Sequence, residues 1–230
     1  MPEFAASSVF FGVFVTLAAY FLGLKVREKT GLAIMNPLLI AIALVMLLLG
    51  ALHIDYAAYN QSARLVSSLL TPATVCLAVP LYEQLHLLKR HKAAILTGVL
   101  SGVLTSLICV LALAVLFKLD HAAYVTLLPK SITTAIGMGV SEQLGGHVSI
   151  TVAIIIITGV IGNMIAESVC KAFHITEPIA RGIAIGTASH AIGTTRAMEL
   201  GEVEGAMSSL SIVVAGVLTV AGASVFSLLL

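Results

Sequence analysis

The sequence predicts an all-α polytopic membrane protein, and its composition is the first observation behind that prediction. Of the 230 residues, 59% are hydrophobic and only 10% are charged, and the mean hydropathy is +1.10. A soluble core of this size needs no such excess of apolar residues, whereas a chain with several membrane spans does. The net charge of +1 provides no basic excess for a nucleic-acid partner.

The second observation is that apolar runs long enough to cross a bilayer repeat along the chain. A helix needs about 20 residues to cross about 30 Å of hydrocarbon. The first run, residues 5–24, is followed rather than preceded by basic residues, which is typical of a first span and not of a cleaved signal. Further spans are expected at 32–52, 63–88, 93–117, 148–170, 179–199 and 206–230.

The positions of the basic residues predict the orientation of these spans. Clusters at 25–29 and 89–92 flank spans on one side, while the connection 53–62 contains no Lys or Arg. The side with the clusters should be cytoplasmic, with the N-terminus outside. A complete crossing by residues 123–143 would place Lys171 outside, against the same bias. We therefore expect about seven transmembrane helices, with 123–143 as a re-entrant or broken segment.

Three residues are predicted to interrupt helices, namely Pro72, Pro129 and Gly193. Proline removes a backbone hydrogen bond and leaves carbonyl groups free, which hydrocarbon cannot satisfy but neighbouring helices or bound water can. Both prolines lie beside hydroxyl residues, and Gly193 could end a half-helix whose dipole faces a ligand. Ordinary kinks and close helix packing are the alternative explanations.

Many carriers are built from inverted repeats whose broken helices meet at the middle of the membrane. The sequence is read as one integral membrane domain, residues 1–230, with possible structural halves at 1–120 and 121–230. The spans 63–88 and 179–199 would then occupy equivalent places in the two halves.

A first polar cluster lies in the segment predicted to be broken. It offers an ammonium group and three hydroxyls within five residues: Lys130, Ser131, Thr133 and Thr134. Such a set can hold a small carboxylate through charge-assisted hydrogen bonds. The alternative is a lysine that snorkels from a helix end toward water.

A second polar cluster lies in the predicted span 179–199. Its small residues fall on one helical stripe, which packing alone would explain, but packing explains less well why polar side chains gather there. We expect four of them to contact a hydroxyl or keto group of a substrate and an arginine to complete the charge balance. Moving an anion inward against the membrane potential costs about 2.3 kcal/mol per 100 mV, so His190 is the candidate carrier of a coupled proton. The predicted residues are Thr187, Ser189, His190, Thr194 and Arg196.

Four segments resemble the LrgB/CidB family of bacterial membrane proteins, and the likeness covers nearly the whole chain. They are residues 81–84, 128–134, 180–194 and 204–209. The resemblance implies a bacterial cytoplasmic (inner) membrane protein that works with a smaller membrane partner of the LrgA/CidA type. It also implies similarity to the C-terminal half of a plastid glycolate/glycerate translocator.

Two functions follow from the residues and the resemblance together. The main expectation is a transporter or facilitator for small monocarboxylates of the pyruvate, glycolate or glycerate class. The alternative is a holin-like or antiholin-like protein that modulates murein hydrolase activity and lysis. No HExxH pair, GxSxG elbow or phosphate loop is found, so no enzyme is expected. We also expect a homo-oligomer with no metal and no cofactor, apart from possible proton or cation coupling.

Overall fold

The structure is a computed structural model that describes residues 8, 10–30, 35–69 and 85–230, together with residues 72, 75, 76, 79 and 82. Regular secondary structure in these residues is helical, which confirms the all-α prediction. The chain divides into two compact units, Met1–Cys76 and Leu77–Leu230. The halves 1–120 and 121–230 stay a prediction.

The described helices of the first unit are α1 (Phe11–Thr30), α2 (Pro37–Leu52), α3 (Tyr56–Ser62) and α4 (Arg64–Ser68). Helix α2 begins where it does because the Asn36 side chain accepts a hydrogen bond from the backbone N–H of Leu38 at 2.9 Å, and Pro37 occupies the first helical position. Gly23 of α1 lies so close to α2 that a Cβ atom on it would be 2.6 Å from the Pro37 carbonyl oxygen. This approach fixes α1 against α2.

The predicted break at Pro72 falls in the stretch 70–84, where the structure describes five separate residues. Pro72 itself is helical and exposed, and the neighbours on which a break depends lie outside the described residues. Most of the predicted span 63–88 lies outside them too. The inverted repeat that pairs this span with 179–199 therefore stays a prediction.

Among the described residues of the second unit, three helices are long and apolar enough to cross a membrane. They lie at Lys89–Phe117, Val148–Ala172 and Glu202–Leu229. Large apolar side chains stand exposed on them, such as Ile157 at 55% and Val217 at 68%, which is unfavourable in water but not against lipid. The helices of this unit are α5 (Leu85–Phe117), α6 (His121–Leu127), α7 (Thr134–Gln143), α8 (Val148–Ala172), α9 (Pro178–Leu200) and α10 (Glu202–Phe226).

The chain from α6 to α7 doubles back on itself, since a Cβ atom on Gly137 of α7 would lie 3.6 Å from the Pro129 carbonyl oxygen of the turn, and we call this element hairpin 1. The Thr151 hydroxyl of α8 donates to the Thr126 carbonyl at 3.0 Å and forms a second hydrogen bond of 2.7 Å with the Ser141 hydroxyl. This pair of bonds places Thr126, near the end of α6, beside Ser141, near the end of α7. Pro129 lies in the turn at residues 128–131 that follows α6. At 7 and 10 residues, the two helices are only about 10 and 15 Å long. Residues 121–143 are therefore a broken element.

Helix α9 is also a hairpin, which we call hairpin 2, because the chain reverses at His190. His190 has φ 42° and ψ −142°, which no residue inside a helix adopts. A Cβ atom on Gly193 would lie 3.3 Å from the carbonyl oxygen of Ile185, although residues eight apart in a continuous helix are separated by about 12 Å. The interruption predicted at Gly193 is therefore at His190.

The reversal at His190 corrects the predicted crossing at 179–199. The arm before His190 has 12 residues and the arm after it has 10, so each is about 15–18 Å long against about 30 Å of hydrocarbon. Neither arm crosses. The sequence predicted an interruption at Gly193 in this segment, but the apolar composition of both arms favoured a span that crosses.

The two hairpins approach the interior of the second unit from opposite ends of α10. The base of hairpin 1 lies at the C-terminal end of α10, where the Tyr124 hydroxyl donates to the Phe226 carbonyl at 2.9 Å. The base of hairpin 2 lies at the N-terminal end, where a Cβ atom on Gly182 would be 2.5 Å from the Glu204 carbonyl oxygen. Ile155 of α8 contacts both, Gly137 of hairpin 1 through its side chain and His190 through its carbonyl.

Candidate functional site

A groove of about 850 Å³ lies where the two hairpins meet α5 in the second unit. One wall is a face of α5, the second is the turn of hairpin 1, and the third is the first arm of hairpin 2. Polar groups in these walls are few and the surroundings are apolar, which is the usual character of a small-molecule site. The residues that carry oxygen, nitrogen or sulfur into the groove are His91, Ser101, Thr105, Ser106, Cys109, Lys130, Ser131, Glu177 and Thr187.

Lys130 supplies a positive charge to the groove. It is half-buried in the turn of hairpin 1, and its ammonium group donates to the hydroxyl of the buried Ser131 at 2.9 Å. Among the described residues, Lys130 forms no ion pair. An ammonium group has three N–H donors, so two remain for a ligand. A partly desolvated cation with free donors attracts an anion more strongly than one in water.

Thr187 supplies a polar group that lacks a partner. Its side chain is 6% exposed, lines the groove, and its hydroxyl oxygen has no hydrogen-bond partner among the described residues. Leaving such a group unsatisfied costs about 1–3 kcal/mol, and rotation of the side chain toward a ligand or water in the groove would remove that cost. Gly102 of α5 leaves room for the Thr187 side chain, because a Cβ atom on Gly102 would lie 2.7 Å from Cγ2 of Thr187.

Two predicted residues of hairpin 2 face α8 instead of the groove. Ser189 packs against Gly162, and the Nε2 atom of His190 lies 2.9 Å from the Ile155 carbonyl oxygen. A carbonyl oxygen only accepts, so Nε2 carries a proton. His190 is 3% exposed, and its ring holds the chain reversal in place. Its role as a proton carrier stays a prediction.

The other predicted residues are also engaged outside the groove lining. The Thr194 hydroxyl donates to the His190 carbonyl at 2.9 Å and contacts the Ser208 hydroxyl of α10 at 2.7 Å. Arg196 forms ion pairs with Glu167 and Glu199. Thr133 and Thr134 stand at the start of α7, outside the groove lining, and the Thr133 side chain forms no capping hydrogen bond there. Of the nine predicted substrate-binding residues, the structure brings Lys130, Ser131 and Thr187 together in the groove.

The sequence reasoning missed the wall that α5 contributes. Its small and polar residues recur at intervals of three and four in an otherwise apolar helix, so they share one face. That spacing was the available signal, and it was overlooked because none of these residues is charged. The face consists of Gly98, Ser101, Gly102, Thr105, Ser106 and Cys109.

Three membrane-length helices among the described residues define an integral membrane protein, and the groove between the two hairpins and α5 is its candidate site. In the part of the chain that the structure describes, no three His, Cys, Asp or Glu side chains are grouped so as to hold a metal ion. The chain belongs to the LrgB family, because residues 16–229 match the LrgB-like family. The resemblance found in the sequence is confirmed.

Curated relatives support the same assignment. An antiholin-like protein LrgB of Bacillus cereus (strain B4264) and one of Bacillus anthracis (strain CDC 684) are each 37% identical over 212 residues, which cover 92% of this chain and 92% of the relative. No solved structure matches the chain.

Proposed function

We propose that this protein has an antiholin-like role in a bacterial cytoplasmic membrane. The observation that carries this proposal is that the two Bacillus relatives are named antiholin-like proteins, and that the matched residues cover 92% of this chain and 92% of each relative. An antiholin restrains the lesion that a holin forms, and a membrane protein with several packed helices can do so by associating with the lesion-forming protein. A smaller membrane protein of the LrgA/CidA type is the partner in this proposal, together with further copies of the same chain.

The antiholin-like role is tested by dye release from vesicles. A lesion-forming protein of the CidA type should release large dyes from the vesicles, and co-reconstitution of this protein should reduce the released fraction in proportion to its amount. An unrelated membrane protein of similar size serves as the control. Unchanged release would reject the antiholin-like role. Release by this protein alone would assign it the opposite, holin-like activity.

The groove also favours a second candidate function, the binding and passage of a small monocarboxylate. The names of the relatives do not describe this activity. The observation that carries this second candidate is the ammonium group of Lys130, which forms no ion pair among the described residues. It shares the groove with several hydroxyl residues, including Thr187, whose hydroxyl has no hydrogen-bond partner in the same part of the chain. A carboxylate would accept hydrogen bonds from the two remaining N–H groups of Lys130, and the Thr187 hydroxyl would bond to a second oxygen of the ligand. The volume of about 850 Å³ exceeds what a three-carbon acid needs.

Uptake of labelled pyruvate and glycolate into proteoliposomes tests this activity. Lys130→Ala should lower the saturable uptake by at least about tenfold, because hydrogen bonds to charged groups contribute about 1.5–3 kcal/mol. Lys171→Ala is the matched control, since its side chain is 70% exposed and pairs with Glu167 outside the groove lining. Equal uptake by the parent and Lys130→Ala would reject the carboxylate role of Lys130.

A further inference from the structure

We propose that Ser106 of α5 is a ligand-contacting residue that binds the carboxylate together with Lys130. The inference rests on the proposed carboxylate activity of the groove and adds a residue from the wall that the sequence did not reveal. Ser106 and Ser131 both line the groove, and their hydroxyl oxygens are 3.4 Å apart.

The distance between the two hydroxyls indicates that the Ser106 proton is available. Hydroxyl hydrogen bonds are usually about 2.7–2.8 Å long, so the contact of 3.4 Å is weak. Ser131 already accepts a stronger bond from Lys130 at 2.9 Å. A carboxylate oxygen is a better acceptor than either hydroxyl.

Another serine on the same face of α5 provides a direct contrast. The Ser101 hydroxyl also lines the groove, but it donates to the Gly98 carbonyl of its own helix at 2.8 Å. Its proton is therefore used by the backbone. Ser106 forms its hydrogen bond to another element, the turn of hairpin 1, and this position lets it act on a ligand held by Lys130.

These groups together form an anion receptor with a defined number of donors. Lys130 keeps two N–H donors after it bonds to Ser131, and Ser106 adds one O–H donor. A carboxylate has two oxygens with about four lone pairs, so one ligand can accept all three bonds. The receptor therefore suits a small carboxylate.

Cys109 lines the groove three residues after Ser106 and is exposed, so it reports on ligand binding. In a Cys76→Ser, Cys170→Ser background, a maleimide should alkylate Cys109, and bound glycolate or pyruvate should slow the reaction. Ser106→Ala should raise the half-protecting concentration by roughly tenfold, the factor expected for one hydrogen bond to a charged group. Ser106→Thr, which keeps the hydroxyl, should restore protection. Thr97→Ala is the control, since Thr97 lies on α5 outside the groove lining and donates to the Ala93 carbonyl, and it should change protection by less than about twofold.

The outcomes separate this inference from the proposed activity. If glycolate and pyruvate protect Cys109 in the parent, and Ser106→Ala is protected as well as Thr97→Ala, the role of Ser106 is refuted while the groove remains a carboxylate site. If neither acid slows alkylation in the parent at any concentration, the carboxylate activity itself fails. The ratio of rates with and without ligand is compared, so a change in the intrinsic reactivity of Cys109 does not affect the result.

Discussion

Substituting Gly193 by alanine tests the chain reversal at His190, because a continuous helix and a hairpin predict effects of opposite sign. In a continuous helix, an alanine would stabilise the protein by about 1 kcal/mol through its higher helix propensity. In the hairpin, the new Cβ atom would lie 3.2 Å from Cγ2 of Ile185 and 3.3 Å from its carbonyl oxygen, and closer still to Cβ of Ser189. Carbon atoms prefer about 3.5–4.0 Å, so backbone atoms must move.

Overpacking costs about 1–3 kcal/mol, and the contact with Cβ of Ser189 places this site in the upper part of that range, at about 2–3 kcal/mol. The gain in helix propensity offsets about 1 kcal/mol of this cost. We expect Gly193→Ala to lose about 1–2 kcal/mol, which lowers the Tm of a chain this long by about 2–8 °C. The measurement is thermal unfolding of the purified protein in detergent. Gly139→Ala in α7 is the control, since nothing lies within 4 Å of its new Cβ atom, and its Tm should not fall. A Tm for Gly193→Ala at or above that of the parent would refute the reversal.

Two further substitutions probe the groove and the hairpin 1 contacts. Gly102→Ala should weaken carboxylate protection of Cys109 several-fold, because its Cβ atom would lie 2.7 Å from Cγ2 of Thr187 and displace that side chain. Gly98→Ala is the control, since its Cβ atom would meet only the Ile183 side chain, at 3.2 Å. Equal effects of the two substitutions would contradict this expectation. Thr151→Val should cost about 1–3 kcal/mol in the same unfolding measurement, because it leaves the buried Ser141 hydroxyl without its bond of 2.7 Å. Ser224→Ala, whose exposed hydroxyl bonds to its own helix, should leave the Tm nearly unchanged, and an equal loss in both variants would argue against the Thr151 bond.

The sequence by itself determined the class, the family and part of the site. Apolar runs of about 20 residues predict membrane helices, because a run of that length and composition can cross the hydrocarbon core without exposing polar side chains to lipid. The break near Pro129 was also predictable, since proline cannot donate a backbone hydrogen bond wherever it stands. Lys130 and Ser131 come directly after Pro129 and were predicted as ligand-binding residues because they lie in the broken segment. The structure places both in the groove.

Only the tertiary structure decided which polar residues face the groove. The reversal at His190 depends on contacts with Ile155 and Gly162, which lie 35 and 28 residues earlier in the chain, and no local pattern encodes them. The reversal turns Ser189 and His190 toward α8 and leaves Thr187 on the groove side. The polar face of α5 is visible in the sequence as a periodic spacing, but the sequence does not show what packs against it. The tertiary structure places the turn of hairpin 1 there, which makes this face a wall of the groove.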